Sequence, residues 1–169
     1  FRKRRVPARF IGHMLFDRPL DTGLLEAQGA GFPSGSPRLA LMPGSRPDEL
    51  AHHFPILLEV FRRLRRARPG LVGLVAATTP GVEASLREMA AHHGGWPDGL
   101  AIVTAQTDAA VHWCDLALVK SGTVTLQVAR QRRAMVIFYK KYNPFVFLLA
   151  RTILSTRTFA LPNLLARRR

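Results

Sequence analysis

Apolar residues fall along this chain in short unbroken runs, and longer stretches of helical spacing lie between them. Residues 39–42, 71–77, 100–104, 116–119 and 135–139 are such runs. Each has the length and the uniform apolarity of a strand buried on both faces, as in a parallel sheet. After the first run, Leu50, Phe54, Leu57, Leu58, Phe61 and Leu64 form a stripe at helical spacing. Pro55 lies inside that stripe, which predicts a kink or a late start. Residues 82–93 read as a helix stopped by Gly94-Gly95, residues 108–113 as a short helix, and residues 124–131 as a helix by composition. Further on, residues 144–154 read as a strongly apolar helix and residues 159–161 as a last short strand. At the front, residues 6–11 suggest a short strand, and residues 29–37, rich in Gly and Pro, read as loop. The strand–helix alternation with short connections predicts an α/β protein, a Rossmann-like doubly wound parallel sheet that binds its ligand at the carboxyl ends of the strands. Residues 1–37 form a basic lead-in and linker before the domain, 38–169.

Two turns follow strands and therefore share that edge of the sheet. Pro43-Gly44-Ser45-Arg46 ends the first run, and Ser121-Gly122-Thr123 ends the fourth. The second turn suits an anion: Ser121 can cap the following helix, Gly122 lets a ligand approach the backbone, and the first helical N–H groups point outward. Arg46 supplies a bidentate fork from the facing turn. Taken alone, the second turn also reads as a capped βα connection with no ligand, the commoner case for short glycine-containing turns. Neither GxGxxG nor GxxxxGK[ST] occurs. His52-His53 and His92-His93 lack a Cys or carboxylate set at ligand spacing, which argues against metal. Cys114 sits before an apolar run and reads as core rather than nucleophile.

Charge narrows the partners. Lys and Arg number 25 against 11 acidic residues, a formal +14. That balance favours nucleic acid, nucleotide phosphates or an acidic membrane surface, although solvated Arg faces account for part of it. Lys140 and Lys141 precede the apolar helix of residues 144–154. That pairing suits an anionic bilayer or, equally, a helix facing the core. A single cysteine excludes an intrachain disulfide and fits a reducing compartment.

Five blocks carry a family resemblance. They are Gly12-His13 with Asp17; Leu41-Met42-Pro43-Gly44-Ser45-Arg46; Ser121-Gly122-Thr123-Val124-Thr125-Leu126; Tyr139 through Asn143-Pro144-Phe145 with Leu149-Ala150-Arg151; and Leu161-Pro162-Asn163-Leu164-Leu165-Ala166. In this order and at these spacings they resemble the back half of lipid-A-disaccharide synthase. The resemblance implies a GT-B glycosyltransferase of two Rossmann-like halves, of which this chain is the carboxy-terminal, donor-nucleotide half. It implies transfer of 2,3-diacylglucosamine from its UDP donor to 2,3-diacylglucosamine 1-phosphate, in lipid A biosynthesis, by a peripheral enzyme on the cytoplasmic face of the inner membrane. No metal or cofactor is implied, since the UDP-sugar is a substrate. By position, Arg46, Ser121, Gly122 and Thr123 would hold the pyrophosphate, Gln127 would face the ribose, and Asn163 would line the donor site, with Gly44 and Ser45 also among the substrate-binding residues.

The chain departs from the family pattern in three places. Gln127 stands where a Glu is usual, Arg167-Arg168-Arg169 stands where Gly-Arg-Glu is usual, and the amino-terminal half is lacking. Inversion needs a general base beside the acceptor hydroxyl, and the family places it in that other half. The chain therefore reads as a fragment that binds donor and does not catalyse transfer alone. Two other functions remain open on sequence: another UDP-sugar GT-B enzyme, which leaves the Leu161–Ala166 block unexplained, and a basic nucleic-acid-binding module, which lacks aromatic platforms and any recognised motif.

Overall fold

Strand β2 (Val72–Ala77) is buried at every position, as a strand covered on both faces must be. It belongs to a five-stranded sheet, described here from a computed structural model covering residues 7, 9 and 11–138. The other strands are β1 (Arg38–Met42), β3 (Leu100–Thr104), β4 (Leu116–Lys120) and β5 (Ala134–Phe138). Every pairing is parallel and the order is β3-β2-β1-β4-β5. The chain builds outward from β1 to β3, then returns to the far side of β1 for β4 and β5. The direction of winding therefore reverses between β1 and β4. Their register pairs Met42 with Val119, so both strands end at the same level.

Alternation along β1 divides the core. Leu39 and Leu41 face helices α2 (Pro47–Ala67) and α3 (Pro80–His92), with Phe54, Leu58, Phe61 and Leu86 fully buried between. Ala40 and Met42 face α4 (Thr107–Trp113), and Val128 of α5 (Val124–Arg130) joins the same cluster. Burying about twenty Leu, Val, Phe and Met side chains among the described residues, at ~1.5–3 kcal/mol each, supplies the main favourable term in folding.

Helix α2 runs unbroken through Pro55 and starts early, with Pro47 in its first turn. The late start offered as one outcome of Pro55 is not observed, since the helix begins eight residues before it. The proline removes the bond to the Ala51 carbonyl, and Ala51 is exposed, so water can satisfy that oxygen. Gly94 and Gly95 stop α3 with φ of 85° and 80°, values that favour glycine. Arg62 Nη2 donates to Gly95 O at 2.6 Å, and Arg65 donates to Leu71 O. Part of the arginine cluster thus ties the end of α2 to neighbouring loops.

The lead-in holds a 3-10 turn (Met14–Phe16) and a helix, α1 (Thr22–Gly29), that packs against α4. The apolar pattern of the lead-in does not show this helix in the sequence. Asp21 caps α1 by accepting from Leu24 N at 3.0 Å. Pro7, Arg9 and Ile11 are not in a strand, so the run expected at 6–11 is not seen at these positions; its remaining residues are outside the description. The elements expected at 144–154 and 159–161 also lie outside the described residues.

Candidate functional site

A cleft of about 300 Å³ opens at the carboxyl ends of β1, β2 and β4, where the winding reverses. Strands that diverge to opposite sides leave a crevice there in any doubly wound sheet. One wall is the turn after β1. Gly44 has φ of 112°, a backbone state that a side chain would strain, and Ser45 and Arg46 lead from it into α2. The opposite wall is the turn after β4, with Gly122 and Thr123, and one helical turn further Gln127. Gly44, Ser45, Arg46, Gly122, Thr123 and Gln127, picked from motifs about 75 residues apart, thus line one cleft.

Ser121 is not among the lining residues. Its backbone N–H donates to Phe138 O at 3.0 Å, tying the turn to β5. It also does not occupy the N-cap position of α5. Thr123 holds the N-cap position, in helical conformation and without a side-chain cap bond. The first turn closes on itself instead: Thr125 N and Oγ1 both bond to Gly122 O, at 3.1 and 2.7 Å, and Leu126 N bonds to Thr123 O. Two N–H groups expected to face a ligand are therefore taken up inside the turn. Helix α5 is also only 7 residues long, so its dipole adds little. A Cβ at Gly122 would meet only Lys120 O, at 3.9 Å. The glycine required by geometry is Gly44, while Gly122 leaves open space. Asn163 lies outside the described residues.

Two charged groups in the cleft were not picked from the sequence. Glu49, in the first turn of α2, accepts from Arg46 Nη1 at 2.9 Å and from Lys120 Nζ at 2.8 Å, both on Oε1. The Lys120 and Glu49 side chains are 19% and 14% exposed, whereas Arg46 is 77% exposed. Burial alone would raise the Glu49 pKa, but the hydrogen bonds from Lys120 and Arg46 outweigh it and the carboxyl stays below its usual range. A sequence signal did exist for Lys120: a lysine closing an apolar run at the ligand edge of a parallel sheet. Glu49 reads from sequence only as a favourable charge in a helix's first turn.

Gln127 is engaged within the protein. Its Nε2 donates to Asp108 Oδ1 at 3.3 Å, and Gln131 Nε2 reaches the same oxygen and the Asp108 carbonyl. Among the other candidates, Cys114 is wholly buried and its thiol is pushed up to about 11, chiefly by burial, so it is core. His53 is buried beside the Phe138 ring, and His52 Nδ1 lies 2.6 Å from Asp48 O. No cluster of three metal-ligating side chains occurs among the described residues.

A parallel sheet of this order, with its cleft at the reversal of winding, is a Rossmann-like domain of the kind that binds nucleotide ligands. The family model for lipid-A-disaccharide synthetase matches residues 1–169. Curated relatives agree: lipid-A-disaccharide synthase from Pseudomonas fluorescens Pf-5 is 34% identical over 99% of this chain, and that from Azotobacter vinelandii is 36% identical over 99%. The enzyme from Anaeromyxobacter sp. strain K is 36% identical over 96%. The chain belongs to the lipid-A-disaccharide synthetase family, a family of GT-B glycosyltransferases. It spans about 44% of the length of the first two of these relatives.

Proposed function

We propose that this chain is the donor-nucleotide half of a lipid-A-disaccharide synthase. The reaction is transfer of 2,3-diacylglucosamine from UDP to the hydroxyl of 2,3-diacylglucosamine 1-phosphate, with inversion and release of UDP. The observation that carries the reading is the convergence of the Gly44–Arg46 and Gly122–Thr123 turns on one cleft at the winding reversal. In this reading the diphosphate lies between the two turns. Arg46, exposed and forked, binds its oxygens and offsets the charge that grows on the diphosphate as the glycosidic bond breaks. Thr123 offers a hydroxyl, and Gln127, one helical turn along, faces the ribose. The base that takes the acceptor's proton comes from the amino-terminal half. The assembled enzyme works as a peripheral protein on the anionic cytoplasmic surface of the inner membrane. No helix of the described residues is long and apolar enough to cross a membrane.

Calorimetry with UDP and with a generic oligonucleotide at moderate salt tests this. Saturable UDP binding, with the oligonucleotide weak, is expected. Tight oligonucleotide binding without a UDP signal overturns it in favour of a nucleic-acid module.

A further inference from the structure

We propose that Lys120 is a second diphosphate-contacting cation of the cleft, and that Glu49 is the residue that positions it. The proposal rests on the nucleoside-diphosphate reading of the cleft and adds to it residues outside both turns. Lys120 closes β4 and lines the cleft between those turns. Its ammonium carries three protons, and Glu49 Oε1 accepts one at 2.8 Å. Among the described residues no second acceptor holds it. The remaining protons are available to an anion in the cleft.

Glu49 is built into the site. It extends from the first turn of a 21-residue helix, which fixes its backbone. Its other oxygen lies against Gly44: a Cβ there would come within 2.9 Å of Oε2. The side chain is therefore held between the Gly44 backbone on one side and Lys120 on the other. The two cations on Oε1 differ in exposure. Arg46 is mostly solvated and can exchange the carboxylate for phosphate at little cost. Lys120 is mostly buried, and leaving Glu49 would strand a charge. A diphosphate thus draws Arg46 to itself while Lys120 stays anchored and presents its remaining protons. The cluster, two cations and one carboxylate, keeps one net positive charge for the ligand.

The test compares UDP with uridine on the full chain, by calorimetry. Lys120→Met should weaken UDP about tenfold, the loss of one charge-assisted hydrogen bond. Uridine, which has no phosphate, should bind within twofold of its original affinity. Lys120→Arg should recover most of the UDP affinity. Glu49→Gln should change UDP affinity in the parent, and that change should shrink in the Lys120→Met background to the part that comes from releasing Arg46, because the rest acts through Lys120. The doubly substituted chain also replaces a mostly buried ion pair by a neutral pair of similar shape, so it keeps the measurement open if Lys120→Met alone fails to fold. Equal losses for UDP and uridine, or none for either, overturn the role of Lys120. An equal Glu49→Gln effect in both backgrounds overturns the positioning role. Absence of UDP binding by the parent chain refutes the nucleotide reading itself, and this inference with it.

Discussion

Gly44 and Glu49 fit against each other: a Cβ on the glycine would sit 2.9 Å from Glu49 Oε2 and 3.5 Å from its Cβ. The turn after β1 and the first turn of α2 therefore determine each other. Gly44 also holds φ of 112°, outside the range that side chains adopt at low cost. Gly44→Ala should lower stability by ~1–3 kcal/mol through backbone strain and push the carboxylate from its place. Urea unfolding measures the first effect. A loss below a few tenths of a kcal/mol would show that the turn relaxes freely.

Gly73 has a different reason to lack a side chain. It lies inside β2, where a Cβ would come within 2.7 Å of Leu100 Cδ1 and closer still to the Phe61 ring. Phe61 is wholly buried. Gly73→Ala should therefore overpack the α2 side of the sheet and cost ~1–3 kcal/mol. Gly73→Ala with Phe61→Leu should recover part of the loss, because the same volume is then removed from the ring's position. Additive losses in chemical unfolding would sink this explanation.

The sheet was readable because parallel strands leave a strong trace: uniform apolar runs such as residues 72–77, separated by stretches of helical period. The reading failed where short-range chemistry decides. Helix α1 has little apolar stripe: Leu24 is 54% exposed and Leu25 is buried beside it. Its stability comes from the Asp21 cap and from packing on α4, and the second is invisible before the fold is known. Ser121 resembles a cap in sequence, but the turn tightens one residue later so that Thr125 can bond to Gly122. The two turns of the cleft were legible as motifs. The Glu49–Lys120 pair was not, because its members are 71 residues apart and meet only through the β1–β4 pairing.

Acid should act on stability in two steps. Burial, then the charge of Lys120, lowers the His53 pKa, so the folded protein holds the ring neutral where the unfolded chain protonates it. The unfolded state then binds more protons below ~6.5, and stability falls as pH drops from there toward the folded pKa. Carboxylates held low come next. Asp115 is lowered first by the Arg38 side chain, which donates to Oδ1 at 3.1 Å, and by the Arg38 backbone N–H on Oδ2. Its contribution is present above the unfolded pKa near ~3.9 and is lost as pH falls through the lower, folded value. His53→Gln should flatten the first step and Asp115→Asn the second, in unfolding midpoints taken from pH 7 to 3. Unchanged slopes in both variants would assign the acid sensitivity to other groups.

Arg46 is the most exposed of the cleft cations, and its bond to Glu49 is partly solvated. Arg46→Ala should weaken UDP by about 1.5 kcal/mol, the lower end of ~1.5–3 kcal/mol for a hydrogen bond to a charged group, because some interaction with Glu49 is given up on binding. An unchanged dissociation constant would place Arg46 outside the site.

Gln127 tests whether its neighbours or the ribose govern the cleft wall. On sequence grounds alone, Gln127→Glu should strengthen UDP by roughly 1 kcal/mol, since a carboxylate accepts from both ribose hydroxyls with charge-assisted bonds. The structure adds an opposing effect. Asp108 Oδ1 accepts from Gln127 Nε2 and from Gln131 Nε2, so a carboxylate at 127 would replace a donor with a second negative group at hydrogen-bond distance. Like charges this close cost about what the ribose bonds would add, even at a high effective dielectric. Gln127→Glu alone should therefore leave UDP affinity unchanged or weaker. Adding Asp108→Asn removes the repulsion and restores a donor, and the gain of roughly 1 kcal/mol should then appear. A 2′-deoxy donor is the control: the gain should shrink when one hydroxyl is missing. If Gln127→Glu strengthens UDP with Asp108 in place, the Asp108 contact is unimportant in the bound state. If the combined variant helps UDP and its deoxy analogue equally, position 127 does not read the ribose.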